Sequence, residues 1–238
     1  PDDVWSRTQL VYVCSPGNPT GSVMSMDAWR QLFELSDRRG FIIAADECYS
    51  EIYFDEASSP LGALEASHRL GRIGFPRLAV FGSLSKRSNV PGMRSGFVAG
   101  DAVILKKFLL YRTYHGSAMN PAVQAASKAA WNDEFHVIEN RRLYREKFAA
   151  VTELLKVTLP VSMPDAAFYL WVKTPISDVE FTRQLYRDYN VAVLPGSYLA
   201  RHAHGINPGE NFVRIALVAS LAECVEAAER IKNLVTSL

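Results

Sequence analysis

The sequence predicts an α/β protein, with a mostly parallel sheet in a large first domain and a small α+β domain at the C-terminus. Three observations carry this. Short, wholly apolar runs at residues 10–14, 41–45 and 78–81 are separated by amphipathic stretches long enough to form crossover helices. Each run ends in a loop rich in Pro, Gly, Ser or charge, which is how strands of an open sheet end. After Pro160 the order changes to interleaved strands and helices without that rhythm. The expected domains are residues 1–133 and 134–238.

Leu10 to Cys14 reads as the first strand, and Ser15-Pro16-Gly17-Asn18-Pro19-Thr20-Gly21 ends it with the strongest turn chemistry in the chain. A helix follows from Met26 to Arg39. Ser25 is its expected N-cap, Asp27 lies in the first turn, Arg38 and Arg39 lie in the last, and Gly40 takes the C′ position. Trp29, Leu32, Phe33 and Leu35 form its apolar face. Phe41 to Ala45 is the next strand and delivers Asp46 and Glu47 at its end. Leu78 to Phe81 does the same for the Ser83 loop. Open α/β sheets bind ligands at these strand ends.

Beyond Gly96 a strand is expected at Phe97 to Ala99, then helices at Ala102 to Tyr114 and Pro121 to Trp131, with Pro121 suited to a first turn. A long helix with a mixed-charge face, Glu134 to Lys156, bridges the halves. The second domain follows as strand Phe168 to Val172, helix Val179 to Tyr189, strands Val191 to Leu194 and Phe212 to Val218, and helix Leu221 to Leu234.

Composition excludes several classes. With 48% hydrophobic and 21% charged residues the chain is globular rather than disordered. A formal net charge of +1 argues against a nucleic-acid surface. No apolar run approaches the roughly 20 residues that span a bilayer, so no membrane partner is expected. Cys14, Cys48 and Cys224 are odd in number and widely spaced, which indicates neither a disulfide framework nor a zinc site and makes a reducing cytoplasm the default. The start Pro1-Asp2-Asp3-Val4-Trp5 has no signal-peptide character and runs almost at once into a strand. A substantial preceding N-terminal portion is therefore expected.

The chemistry centres on Lys86, in Gly82-Ser83-Leu84-Ser85-Lys86 with Arg94 eight residues on. Most lysines are solvated surface charges. The neighbours point elsewhere: Ser83, Ser85 and Arg94 are donors suited to a phosphate dianion, and an amine beside an anion site serves as a nucleophile toward a carbonyl, with pyridoxal phosphate the leading case. Asp46, after an apolar strand, needs a cationic partner such as a protonated pyridine nitrogen, unless it merely caps a turn. Tyr49 can donate its phenol to a cofactor oxygen or sit in the core. Asn18 shapes its turn or aims its amide at the same oxygen. Arg214 interrupts an apolar strand, and either grips a substrate carboxylate or faces solvent on an edge strand.

Taken together, Ser15-Pro16-Gly17-Asn18-Pro19-Thr20-Gly21, Asp46-Glu47-Cys48-Tyr49, Ser83-Leu84-Ser85-Lys86 with Arg94, and Arg214 resemble the class I/II pyridoxal-phosphate aminotransferases of fold type I. The resemblance covers essentially the whole chain. It implies that Lys86 forms the Schiff base with the cofactor, Asp46 pairs with the pyridine nitrogen, Asn18 and Tyr49 contact the ring oxygen, Ser83, Ser85 and Arg94 bind phosphate, and Arg214 holds the substrate α-carboxylate. It also favours a cis Asn18-Pro19 bond and implies a homodimer acting on small amino and keto acids, with His115 to Asn120 crossing the subunit boundary. Residues 86–101 and Tyr111-Arg112-Thr113-Tyr114-His115-Gly116-Ser117-Ala118-Met119 are similar to the N-succinyldiaminopimelate aminotransferases of bacterial lysine biosynthesis. In that case glutamate and N-succinyl-2-amino-6-ketopimelate are the implied pair.

The family pattern has glycine where Ala166 stands, which is expected to alter that turn. Nothing here corresponds to the family's N-terminal segment or the first half of its large domain, so the sheet should be only the C-terminal part of that domain. Two alternatives share the fold: another amino-acid aminotransferase, β-lyase or decarboxylase, and an aminotransferase-like effector-sensing domain of a transcription regulator.

Overall fold

The computed structural model describes residues 2–116 and 118–238. Two compact units emerge: one takes the chain up to Gly17 together with Ser22–Glu139, and the other takes Asn18–Gly21 and Asn140–Leu238. The short segment Asn18–Gly21 thus leaves its sequence neighbours, which sequence alone did not foretell.

The first unit opens with a single helical turn, α1 (Asp2–Trp5), and strand β1 (Leu10–Cys14). Helix α2 (Met26–Arg39) has the expected ends: the Ser25 side chain accepts from the Ala28 N–H at 3.2 Å, and Gly40, at φ 81°, donates to the Ser36 carbonyl at 2.7 Å. Strand β2 spans Ile42–Asp46, so Asp46 closes the strand rather than following it. Next come α3 (Ala63–Arg69), β3 (Leu78–Ser83), the one-turn helix α4 (Leu84–Arg87), a 3₁₀ turn at Pro91–Met93 and β4 (Gly96–Gly100). Helices α5 (Ala102–His115) and α6 (Pro121–Trp131) follow, and the division between the units falls inside α7 (Phe135–Leu155).

The sheet order is β1-β2-β3-β4, with β1–β2 and β2–β3 parallel and β3–β4 antiparallel. It is mostly parallel, as expected. Registers Cys14↔Asp46 and Asp46↔Phe81 align the carboxyl ends of the three parallel strands in one row. Trp29 and Phe33 of α2 pack with Phe41, Ile43, Ala45, Ala63, Ala66, Leu78 and Val80 in one core, all essentially inaccessible to water. At about 25 cal/mol per Å² of apolar surface removed from water, burying each large side chain contributes roughly 1.5–3 kcal/mol. That core fixes the strands whose ends carry the polar residues.

In the second unit, β5 (Tyr169–Lys173), α8 (Asp178–Tyr189), β6 (Leu194–Pro195), β7 (Phe212–Ala216) and α9 (Leu221–Ser237) form an antiparallel sheet of order β5-β7-β6 with its helices. The strand expected over Val191 to Leu194 shrinks to two residues. Asn190, at φ 53°, ends α8 in the left-handed region, and Pro195 lacks the N–H that a longer ladder needs. Helix α9 begins in a capping box between Ser220 and Glu223. The left-handed residue near the expected unusual turn is Ala167, at φ 71°, and not Ala166, which is wholly buried.

Candidate active site

Asp46 sits half-buried at the end of β2, where its backbone carbonyl accepts from the Ser15 N–H at 3.1 Å and its Oδ1 from the Cys48 N–H at 3.0 Å. One carboxylate oxygen is thereby fixed by the turn that follows the strand. Tyr49 lies in that turn, 9% exposed.

Ser83 ends β3 and is the N-cap residue of α4, which carries Ser85 and Lys86. Leu84 anchors this turn: its side chain is inaccessible, and its N–H donates to the Ser95 carbonyl at 3.1 Å. Ser95 is tied in turn by the Ser127 hydroxyl at 2.7 Å. Arg94 ends the 3₁₀ turn in the left-handed region, at φ 52°, with Nη1 donating to the Pro91 carbonyl at 2.9 Å. Gly96 opens β4 so close to β3 that a Cβ there would lie 2.6 Å from the Gly82 carbonyl oxygen.

Asp46, Tyr49, Ser83, Ser85, Lys86 and Arg94 all line one cavity of about 1000 Å³. The structure therefore brings together six residue positions drawn from three separate stretches of sequence. Cys48, Phe97, Phe108, Arg112 and Thr113 line it too. Sequence reading assigned none of these a role, although all but Phe108 stand in a quoted motif. Burial pushes the Cys48 thiol up to about 11, against the hydrogen bond that the Ser83 hydroxyl donates to Sγ at 3.2 Å, with the nearby Asp46 carboxylate adding to the rise. Burial likewise raises the Glu47 carboxyl above its ordinary value, opposed by the Ala63 N–H, which donates to Oε1 at 2.6 Å.

Asn18 and Arg214 belong to the second unit, where they pair with each other: Arg214 Nη1 donates to Asn18 Oδ1 at 2.8 Å. The Arg214 guanidinium also lies 4.5 Å from the Tyr169 ring centroid. Strand β7 is the middle strand of its sheet, so the edge-strand alternative for Arg214 is removed. Its Nε is buried without a hydrogen-bond partner in the structure. The Asn18 loop is held by the Ala166 N–H, which donates to the Gly21 carbonyl at 2.9 Å, and both the Ser15-Pro16 and Asn18-Pro19 bonds are cis.

Residues 2–231 match the family described as aminotransferase class I and II. The chain belongs to this family. A class I and II aminotransferase depends on pyridoxal 5′-phosphate. Among curated relatives, the LL-diaminopimelate aminotransferase of Maridesulfovibrio salexigens is 31% identical over 98% of this chain and 58% of its own length. Among solved structures, an aminotransferase from Neisseria meningitidis is 59% identical with a TM-score of 0.95, covering 98% of this chain and 59% of that one. A probable N-succinyldiaminopimelate aminotransferase from Thermus thermophilus is 29% identical with a TM-score of 0.82, covering 98% and 60%. The class I and II aminotransferase fold is therefore fold type I, as the motifs implied, and the chain spans about three-fifths of the relatives it matches.

No helix among the described residues is long and apolar enough to cross a membrane.

Proposed function

We propose that this chain carries the lysine and the phosphate- and ring-binding groups of a pyridoxal-phosphate aminotransferase that moves an amino group between glutamate and a keto acid. The observation that carries this reading is the convergence of Asp46, Ser83, Ser85, Lys86 and Arg94 on one cavity. Their chemistry fits the cofactor group by group. Two hydroxyls and a guanidinium suit a phosphate dianion, an amine suits an aldehyde, a carboxylate suits a pyridine N–H, and the Tyr49 phenol suits the ring oxygen.

When bound, pyridoxal phosphate supplies an aldehyde that bonds amines and a ring that accepts electron density from the substrate's Cα. Lys86 Nζ is the amine that would hold the cofactor's aldehyde, and as general base it would move the proton at the substrate's Cα. Asp46 holds the pyridine proton in place. Ser83, Ser85 and Arg94 hold the phosphate and so fix the ring's position. Arg214 binds the substrate α-carboxylate, and Asn18 fixes the angle of that guanidinium through the 2.8 Å bond while also serving the ring oxygen.

The keto substrate proposed is N-succinyl-2-amino-6-ketopimelate. The Thermus thermophilus structure, named as a probable N-succinyldiaminopimelate aminotransferase, supports it, while the Maridesulfovibrio salexigens relative, named as an LL-diaminopimelate aminotransferase, supports only the broader diaminopimelate class. A second reading is another amino-acid aminotransferase, favoured by a 30% identical aspartate aminotransferase of Thermotoga maritima. We further propose a cytoplasmic homodimer. Its support is α5, which has no buried residue and exposes Leu109, Leu110, Tyr111 and Tyr114, together with Cys14, Cys48 and Cys224, none of which forms a disulfide. The proposed crossing segment His115 to Asn120 includes Ser117, which lies outside the described residues.

The test is to add pyridoxal phosphate, reduce with borohydride and map the adduct by mass spectrometry. A phosphopyridoxyl group on Lys86, absent in Lys86→Ala, is expected; a stable adduct elsewhere and none on Lys86 would sink the assignment. A keto-acid panel with glutamate as donor, run on protein carrying this chain, then ranks the substrates.

A further inference from the structure

Arg94, the cavity residue proposed to bind the phosphate with its guanidinium, has a left-handed backbone at φ 52° and ψ 37°. That conformation is strained for a residue with a Cβ and persists only where the surroundings hold it. The bonds of Arg94 itself lie within its own turn: its N–H donates to the Pro91 carbonyl at 3.3 Å, and its Nη1 donates to the same oxygen at 2.9 Å. On the other side the chain is fixed by Ser95, a cavity-lining residue only 4% exposed.

Two bonds anchor Ser95. Its carbonyl accepts the Leu84 N–H at 3.1 Å, which joins it to the turn carrying Ser85 and Lys86. Its hydroxyl lies 2.7 Å from that of Ser127, a residue of α6 that is 5% exposed, and Ser127 Oγ lies 2.6 Å from the Val123 carbonyl. The proton count gives these bonds a direction. A carbonyl only accepts, so the single Ser127 proton goes to Val123, and Ser95 donates to Ser127 Oγ. Removing Ser127 therefore takes the acceptor from a buried donor, which is costly. The same helix accepts Arg87 Nη1 on the Ala130 carbonyl at 2.8 Å. Helix α6 thus holds the Lys86 turn through Leu84, by way of Ser95, and through Arg87.

We propose that Ser127, which does not itself line the cavity, is a positioning residue for phosphate binding: it locks Ser95 and so keeps Arg94 left-handed with its guanidinium at the cavity. This rests on the aminotransferase reading above and adds to it a residue that acts through another. With the lock lost, Arg94 relaxes toward negative φ and carries its guanidinium away from the phosphate position.

The experiment measures, by absorbance titration of protein carrying this chain, the affinities of pyridoxal phosphate and of pyridoxal, which lacks the phosphate. Their ratio isolates phosphate binding. Ser127→Ala should lower the ratio about 10-fold, part of the effect of losing a charged hydrogen bond, and Ser127→Thr, which keeps the hydroxyl, should restore it. In an Arg94→Ala background, Ser127→Ala should leave the ratio unchanged, because the residue through which it acts is gone. Ser95→Ala keeps the carbonyl that holds Leu84 and leaves Ser127 bonded to Val123, so it carries the test if Ser127→Ala does not fold. A lowered melting temperature with the ratio preserved would make the hydroxyl pair purely structural and overturn the proposal. So would an equal loss with and without Arg94. Borohydride trapping at Lys86 reports separately on the aminotransferase reading: no adduct in wild type overturns that reading, whereas an adduct with unaltered ratios overturns only this proposal.

Discussion

Arg87, the residue after Lys86, is ion-paired with Glu134. The guanidinium is almost wholly buried, donates through Nη1 to the Ala130 carbonyl at 2.8 Å and lies 4.9 Å from the Trp131 ring centroid, whereas the Glu134 side chain is 63% exposed. The one-turn helix that presents Lys86 is thus bolted to the end of α6 and the residues entering α7. Removing the buried partner should cost more than removing the exposed one. Arg87→Ala is expected to destabilise by about 3 kcal/mol and Glu134→Gln by about 1 kcal/mol, read by denaturant unfolding. Equal effects would show that the pair, rather than the burial of Arg87, dominates.

Asp46→Asn keeps the side-chain oxygen that accepts the Cys48 N–H but loses the negative charge. Turnover should fall about 10²-fold or more, the usual effect of removing one preorganised electrostatic partner. Borohydride trapping at Lys86 should continue. Loss of trapping with turnover intact would contradict the assigned role.

Glu47 supplies the acceptor that Gly62, the N-cap residue of α3, cannot provide from a side chain. Burial raises its carboxyl in the folded state, and the Asp46 charge adds to the rise beyond what the Ala63 N–H opposes. A carboxyl raised on folding favours the folded state at low pH and loses that contribution as pH climbs from the ordinary carboxylate value through the raised one. Wild type should therefore lose stability relative to Glu47→Gln between pH 4 and pH 7, measured as the difference of their melting temperatures. A constant difference would refute the linkage.

Cys48, with its thiol pushed up to about 11, should resist alkylation. At pH 8 iodoacetamide should modify it about 10²-fold more slowly than a model peptide thiol, and its rate should rise tenfold per pH unit toward that value. Peptide mass mapping over a pH series checks this, and peptide-like reactivity at pH 8 would count against it.

Periodicity and caps made most elements legible. Ser25 and Gly40 bound α2 because their chemistry is local, and the apolar runs of β2 and β3 are buried as the central strands of the sheet, beside β1 at its edge. Helices α3 and α4 were not legible. The first is seven residues and capped by Glu47 from sixteen positions away, and the second is one turn held by Ser95 and by the Arg87 contacts. Neither signal lies within the helix itself.

The sequence by itself determined the α/β order, the strands' carboxyl ends and the set of residue types that identify the family, because these depend on local pattern and on spacing. Only the tertiary structure decided that Arg214 is on a middle strand bonded to Asn18, across 196 residues, and that Asn18–Gly21 groups with the second unit. It alone put Arg112 on the wall of the Lys86 cavity. Such facts follow from packing between distant segments, whose energy is a property of the assembled fold and of no single stretch of chain.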